Sequence, residues 1–120
     1  MVIILVFWQI KPTEEAVAAF LDWWRTKAIV KDRSGLIGEY LSQPSEGMAL
    51  FEVDDPPWSE VECHPFVNVG LWKDAESFHE QIRDYMTVVR QPFEAVLRKR
   101  VCVDPVASRM GSWPLPANVD

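Results

Sequence analysis

An asparagine, a glycine and a tryptophan stand at every second position in the stretch HPFVNVGLWKDAESFH, His64 to His79. Side chains at i, i+2 and i+4 of a strand share one face, so Asn68, Gly70 and Trp72 would lie along a line of about 13 Å at roughly 3.3 Å per residue. The amide both donates and accepts hydrogen bonds, the indole offers a flat surface to an aromatic ligand, and the glycine leaves a gap between them. A helix starting at the N-cap Asp74 then brings Phe78 and His79 one turn later, the second titrating near neutrality. The chemistry this suggests is the handling of a small organic molecule in a hollow between strand and helix. Asn68, Trp72 and His79 would be its reacting groups, and Gly70, Phe78, Ile82 and Trp24 its walls. Taking a proton from a phenol or an activated methylene needs a base that titrates near the working pH, which makes His79 the expected base.

The elements that must position these residues follow from changes of hydrophobic period. Val2 to Ile10 is a continuous apolar run rich in β-branched residues, as expected of a central strand covered on both faces. KPTEEAVAAFLDWWRTKAIV switches to helical spacing, with Thr13 as N-cap, Glu14 and Glu15 in the first turn, and Val17, Phe20, Leu21, Trp24 and Ala28 on one face. LIGEYLSQP reads as a second strand ended by Pro44, and Phe66 to Trp72 as a third. The second helix carries Ala75, Phe78, Ile82, Tyr85 and Val89 in its stripe and stops at Pro92. PFEAVL adds a short helical turn before RKRVCVDPVASRM, a fourth strand whose Pro105 suits an edge or a bulge. The order strand, helix, strand, strand, helix, strand defines an α+β fold: a ferredoxin-like βαββαβ domain with an antiparallel sheet. Two helices cover one face of such a sheet, and the third strand is apolar on both, so a second copy is expected on the other face as a homodimer.

Composition bounds the function. The 120 residues suit one domain, 1–120, in which 44–65 is an acidic loop and 111–120 a Pro-rich tail. A small extra strand, MALFEV, lies inside the loop, and Trp58 would be the apolar contact if the loop served as a lid. A net charge of -6 and pI near 4.9 argue against a nucleic-acid partner, and the short basic run Arg98-Lys99-Arg100 does not reverse that. MVIILVFWQI lacks a basic leader region and is too short to span a bilayer, so no membrane segment is expected. Cys63 and Cys102 form no spacing pattern and read as free thiols of a cytoplasmic protein. Glu62, Cys63 and His64 do not make a metal set, because no paired ligand spacing accompanies them; no metal and no cofactor are expected.

FVNVGLW running into KDAESF resembles the antibiotic biosynthesis monooxygenase group of the dimeric α/β barrel superfamily, and the order of elements agrees. Asn68 and Trp72 match the pocket Asn and Trp of the quinone-forming monooxygenases of aromatic polyketide pathways. The resemblance implies an enzyme without metal, flavin or haem, in which the substrate's own enolate or phenolate reduces dioxygen. Phe78 stands where those enzymes carry a substrate-contacting Tyr, and Pro92 where they carry a pocket Arg, with Arg83 and Arg90 nearby in sequence. The haem-degrading branch has a ligating His ten residues after the Trp, whereas His79 comes seven after. Three functions are therefore weighed: a cofactor-independent monooxygenase of a small aromatic or polyketide-like compound, a non-catalytic small-ligand-binding protein, and a haem-binding or haem-degrading protein. Against all three stand plain structural roles: Asn68 bonded to a neighbouring loop, Gly70 relieving crowding beneath a helix, Trp72 filling the core, and His79 half-exposed on its helix.

Overall fold

A computed structural model describes residues 1–45, 61–83 and 89–115. The elements run β1 (Val2–Ile10), α1 (Glu14–Thr26), β2 (Leu36–Ser42), β3 (His64–Trp72), α2 (Ala75–Ile82) and β4 (Glu94–Val103). The strands form one antiparallel sheet in the order β2-β3-β1-β4, with β1 and β3 central. This is the expected βαββαβ arrangement.

Strict alternation decides which side of the sheet the helices cover. On β1, Ile4, Val6, Trp8 and Ile10 are buried; on β3 it is Phe66, Asn68, Gly70 and Trp72. The intervening Ile3, Leu5, Phe7, Val67, Val69 and Leu71 are only partly buried on the opposite face. The helix α1 starts where Thr13 Oγ1 accepts the Ala16 N–H at 3.1 Å, and it lays Ala16 and Phe20 into the core. Val17, Leu21, Trp23 and Trp24 pack against that core at its margin. Phe20 is the hub, its ring 4.9 Å from Trp8, 5.0 Å from Phe66 and 5.5 Å from Phe93. α2 starts where Asp74 Oδ1 accepts the Ser77 N–H at 2.8 Å, and it buries Phe78 and Ile82.

Gly35 fixes α2 against the start of β2. Its carbonyl accepts the Lys73 N–H at 2.9 Å, and a Cβ at this position would lie 2.6 Å from Ser77 Cβ, so only glycine permits the approach.

Some sequence expectations change. PFEAVL is not a helical turn: Glu94 already begins β4, which ends at Val103 and leaves Pro105 outside the sheet. Two bulges explain the misreading, because β4 carries an extra residue opposite the steps Phe7 to Gln9 and Gln9 to Ile10. They break the two-residue period and leave Phe93, Val96 and Leu97 at helix-like spacing. Arg98, the first residue of the short basic run, turns inward: it is 5% exposed and bonds Glu94 at 2.6 Å inside the protein. Val89, expected on the apolar stripe of α2, is 67% exposed. MALFEV, Trp58, Tyr85 and the last five residues of the tail lie outside the described residues.

Candidate functional site

The register places one row of residues across all four strands on the helix-covered face: Leu41 on β2, Asn68 on β3, Val6 on β1 and Arg100 on β4. The adjoining row holds Glu39, Gly70, Ile4 and Cys102. Above these rows the helices leave an open cleft whose free space, counted out to its mouth, is about 440 Å³. Its floor is Val6, Trp8, Asn68, Glu39 and Arg100; Trp23, Trp24, Ala28 and Val30 close the α1 side, and Phe78 and Ile82 the α2 side.

Asn68 is 5% exposed and is the amide expected to anchor the hollow. Its side chain donates to the Glu39 carboxylate, while its Oδ1 is buried with no partner among the described residues. Trp8 Nε1, 4.9 Å ring to ring from Phe20, is likewise buried without an acceptor. The cavity walls thus contain one unsatisfied acceptor and one unsatisfied donor, in a protein class where buried polar atoms are normally paired.

Glu39 is the residue that sequence reasoning missed. Burial pushes its carboxyl above the ordinary glutamate value, and the Asn68 hydrogen bond and the charge of Arg33 offset this in part. Counted from Leu36 by twos, Glu39 falls on the outer face of β2. A register shift between Leu36 and Gly38 turns it inward beside Gly70 instead. The one signal available in sequence was an acidic residue followed by Tyr40 and Leu41 in an otherwise uncharged strand.

The remaining expected site residues separate. Trp24, Phe78 and Ile82 line the cavity beside Asn68. Trp72 is fully buried beneath α2, edge-on to Phe78 at 5.6 Å, and does not line the cavity. Gly70 does not leave an open gap: a Cβ there would lie 2.9 Å from Trp72 Nε1 and 3.7 Å from Glu39 Oε2, so the indole folds back over the glycine of its own strand. His79 is exposed and lies outside the cavity walls, because the stripe that faces the sheet is Phe78 and Ile82. The expected convergence of Asn68, Trp72 and His79 is therefore not what the fold produces; Asn68 meets Glu39 and the tryptophans of β1 and α1.

Of the residues set aside as a metal group, His64 bonds Gln43 at 2.9 Å and stacks on Phe66 at 4.6 Å. Among the described residues no three His, Cys, Asp or Glu side chains gather as a metal site requires. Cys63 and Cys102 are free thiols. No helix among the described residues is long and apolar enough to cross a membrane.

No family model and no curated protein sequence matches the chain. Among solved structures, a MhuD point mutant with two manganese protoporphyrin IX bound per active site is similar at a TM-score of 0.55 and 16% identity, covering 92% of this chain and 100% of that one. A point mutant of SnoaB, a cofactor-independent oxygenase from Streptomyces nogalater, is similar at a TM-score of 0.52 and 12% identity, covering 89% of this chain and 94% of that one. At such identities the likeness is one of fold, and the chain has the ferredoxin-like fold that the resemblance to the antibiotic biosynthesis monooxygenase group implies.

Proposed function

We propose that the chain is a small cofactor-independent monooxygenase-like protein that binds an aromatic or polyketide-like compound between sheet and helices. The observation that carries this reading is the buried, half-satisfied amide of Asn68 in the floor of a cavity walled by Trp8, Trp23 and Trp24. Indole faces suit a flat polycyclic ligand, and the free Oδ1 of Asn68 suits a ligand hydroxyl. In the proposed reaction the substrate's own anion gives electrons to dioxygen. The protein's part is to orient the ring, exclude water and hold the developing charge. SnoaB, described as a cofactor-independent oxygenase, lends support as a protein of the same fold.

The position of His79 on the exposed flank of α2, outside the cavity walls, supports neither a base nor a haem ligand at this residue. The proposed setting is cytoplasmic, in keeping with the free thiols Cys63 and Cys102.

Oxygen uptake with a hydroxyanthrone, measured above the uncatalysed rate, tests the proposal. Saturable uptake is expected, and Asn68→Ala should lower it by about ten- to a hundredfold, the cost of one lost orienting hydrogen bond. Saturable binding with no oxygen consumed would favour a non-catalytic ligand-binding protein instead.

A further inference from the structure

We propose that Glu39 is the proton acceptor of this cavity, an assignment that rests on the cavity being a ligand site. The bulge in β2 turns Glu39 onto the helix-covered face, opposite Gly70, and its carboxylate lines the cavity. The Trp72 indole fills the space over Gly70, and the carboxylate lies beside it, 3.7 Å from where a Gly70 Cβ would stand, where the Asn68 amide donates to it. That hydrogen bond orients the base and leaves Asn68 Oδ1 buried and unpaired in the same floor.

The orphaned oxygen is an independent observation that points to a ligand. Asn68 is 5% exposed, and among the described residues nothing donates to its Oδ1, which leaves this buried acceptor open to a ligand donor. Across the floor, Trp8 Nε1 is a buried donor with no acceptor of its own. A ligand that completes both brings a donor to Asn68 Oδ1 and an acceptor to Trp8 Nε1, and with a further hydroxyl whose proton goes to Glu39 it is a dihydroxyarene or a hydroxylated enolisable carbonyl compound.

The step balances without a further reagent. The O–H bond of the bound hydroxyl breaks, its electron pair stays on the ligand oxygen, and the proton forms a new O–H bond on Glu39. The ligand is left as an anion in a cavity whose other charged wall residue, among those described, is Arg100, while Arg33 acts on Glu39 through its charge. Burial raises the proton affinity of the carboxylate and so narrows the gap between base and hydroxyl. The ionisable side chains of α2, Glu76, His79 and Glu80, lie outside the cavity walls.

Alizarin, a dihydroxyanthraquinone whose visible band moves to longer wavelength when a phenol ionises, reads the transfer directly. Bound to the wild-type protein it should show the anion band at a pH where free alizarin is neutral, and lose that band at lower pH as the pair takes up one further proton, which leaves both Glu39 and the ligand neutral. Glu39→Gln keeps the shape of the side chain and should leave the alizarin it binds with the neutral spectrum; Glu39→Asp, retaining a carboxylate, should restore part of the anion band. An anion band in Glu39→Gln with the wild-type pH profile overturns the assignment. A neutral spectrum in the wild-type complex also overturns it but leaves the cavity as a ligand site. Failure of the wild-type protein to bind alizarin saturably overturns the cavity reading, and Glu39 with it.

Discussion

Asn68 was legible in the sequence because an amide inside FVNVGLW has no apolar reason to be there, whereas Glu39 was hidden by a single inserted residue that reverses the parity of β2. Gly70 and Trp72 were read as two features of one hollow, yet the indole occupies the glycine's space, a fold-back that strand periodicity alone does not encode. His79 illustrates the limit of helical spacing: one position beyond the buried Phe78, it faces away from the sheet. Glu39 also has a consequence for stability. Its carboxyl is raised in the folded protein, so the folded state binds that proton more tightly than the unfolded chain does. The resulting stabilisation is fully present below the ordinary value of 4.5 and is lost as pH rises through the folded value. Glu39→Gln, which cannot ionise, should therefore melt at an increasingly higher temperature than wild type as pH is raised from acid to neutral. A melting difference that stays constant across that range contradicts the assigned burial.

Among the elements, β1, α1 and β3 were readable because their periods are unbroken, and the Thr13 and Asp74 caps fall at the expected positions. β4 was not, since its bulges put Glu94 and Arg98 together inside. There, Glu94 accepts from Gln91 N at 2.9 Å, from Arg98 N at 3.0 Å and from Arg98 Nη1 at 2.6 Å, and the guanidinium lies 5.3 Å from the centre of the Trp8 ring. The pair thereby braces the strand that carries Arg100 into the cavity and holds the indole on the cavity floor. Arg98→Met leaves a buried carboxylate without its counter-charge and should cost roughly 3–5 kcal/mol in urea unfolding. Adding Glu94→Leu should recover part of that loss, because no lone charge then remains; a double variant that is less stable than the single one would refute the ion-pair account.

At the scale of the whole molecule, the sheet face away from the helices presents a row of Tyr40, Val69, Leu5 and Val101 across all four strands, with Val101 43% exposed. An apolar face of this extent is a surface for association, and we infer a homodimer formed sheet to sheet. Light scattering should give twice the 13.8 kDa chain mass, and Val69→Glu, which sets a charge in the middle of that row, should return a monomer. A wild-type monomer at micromolar concentration would sink this inference. The substrate class was less legible than the fold, because it depends on what the cavity walls bring together from six elements rather than on any local motif. The central claim is that this cavity is a ligand site with Asn68 as its polar anchor, and calorimetric titration of alizarin into wild-type, Asn68→Ala and Ala28→Phe proteins tests it most directly. The wild-type chain should bind one alizarin, Asn68→Ala should bind about tenfold or more weakly for the lost hydrogen bond, and Ala28→Phe, which fills the cavity from its wall, should lose binding. Equal binding by all three proteins, or none by the wild type, would contradict the account.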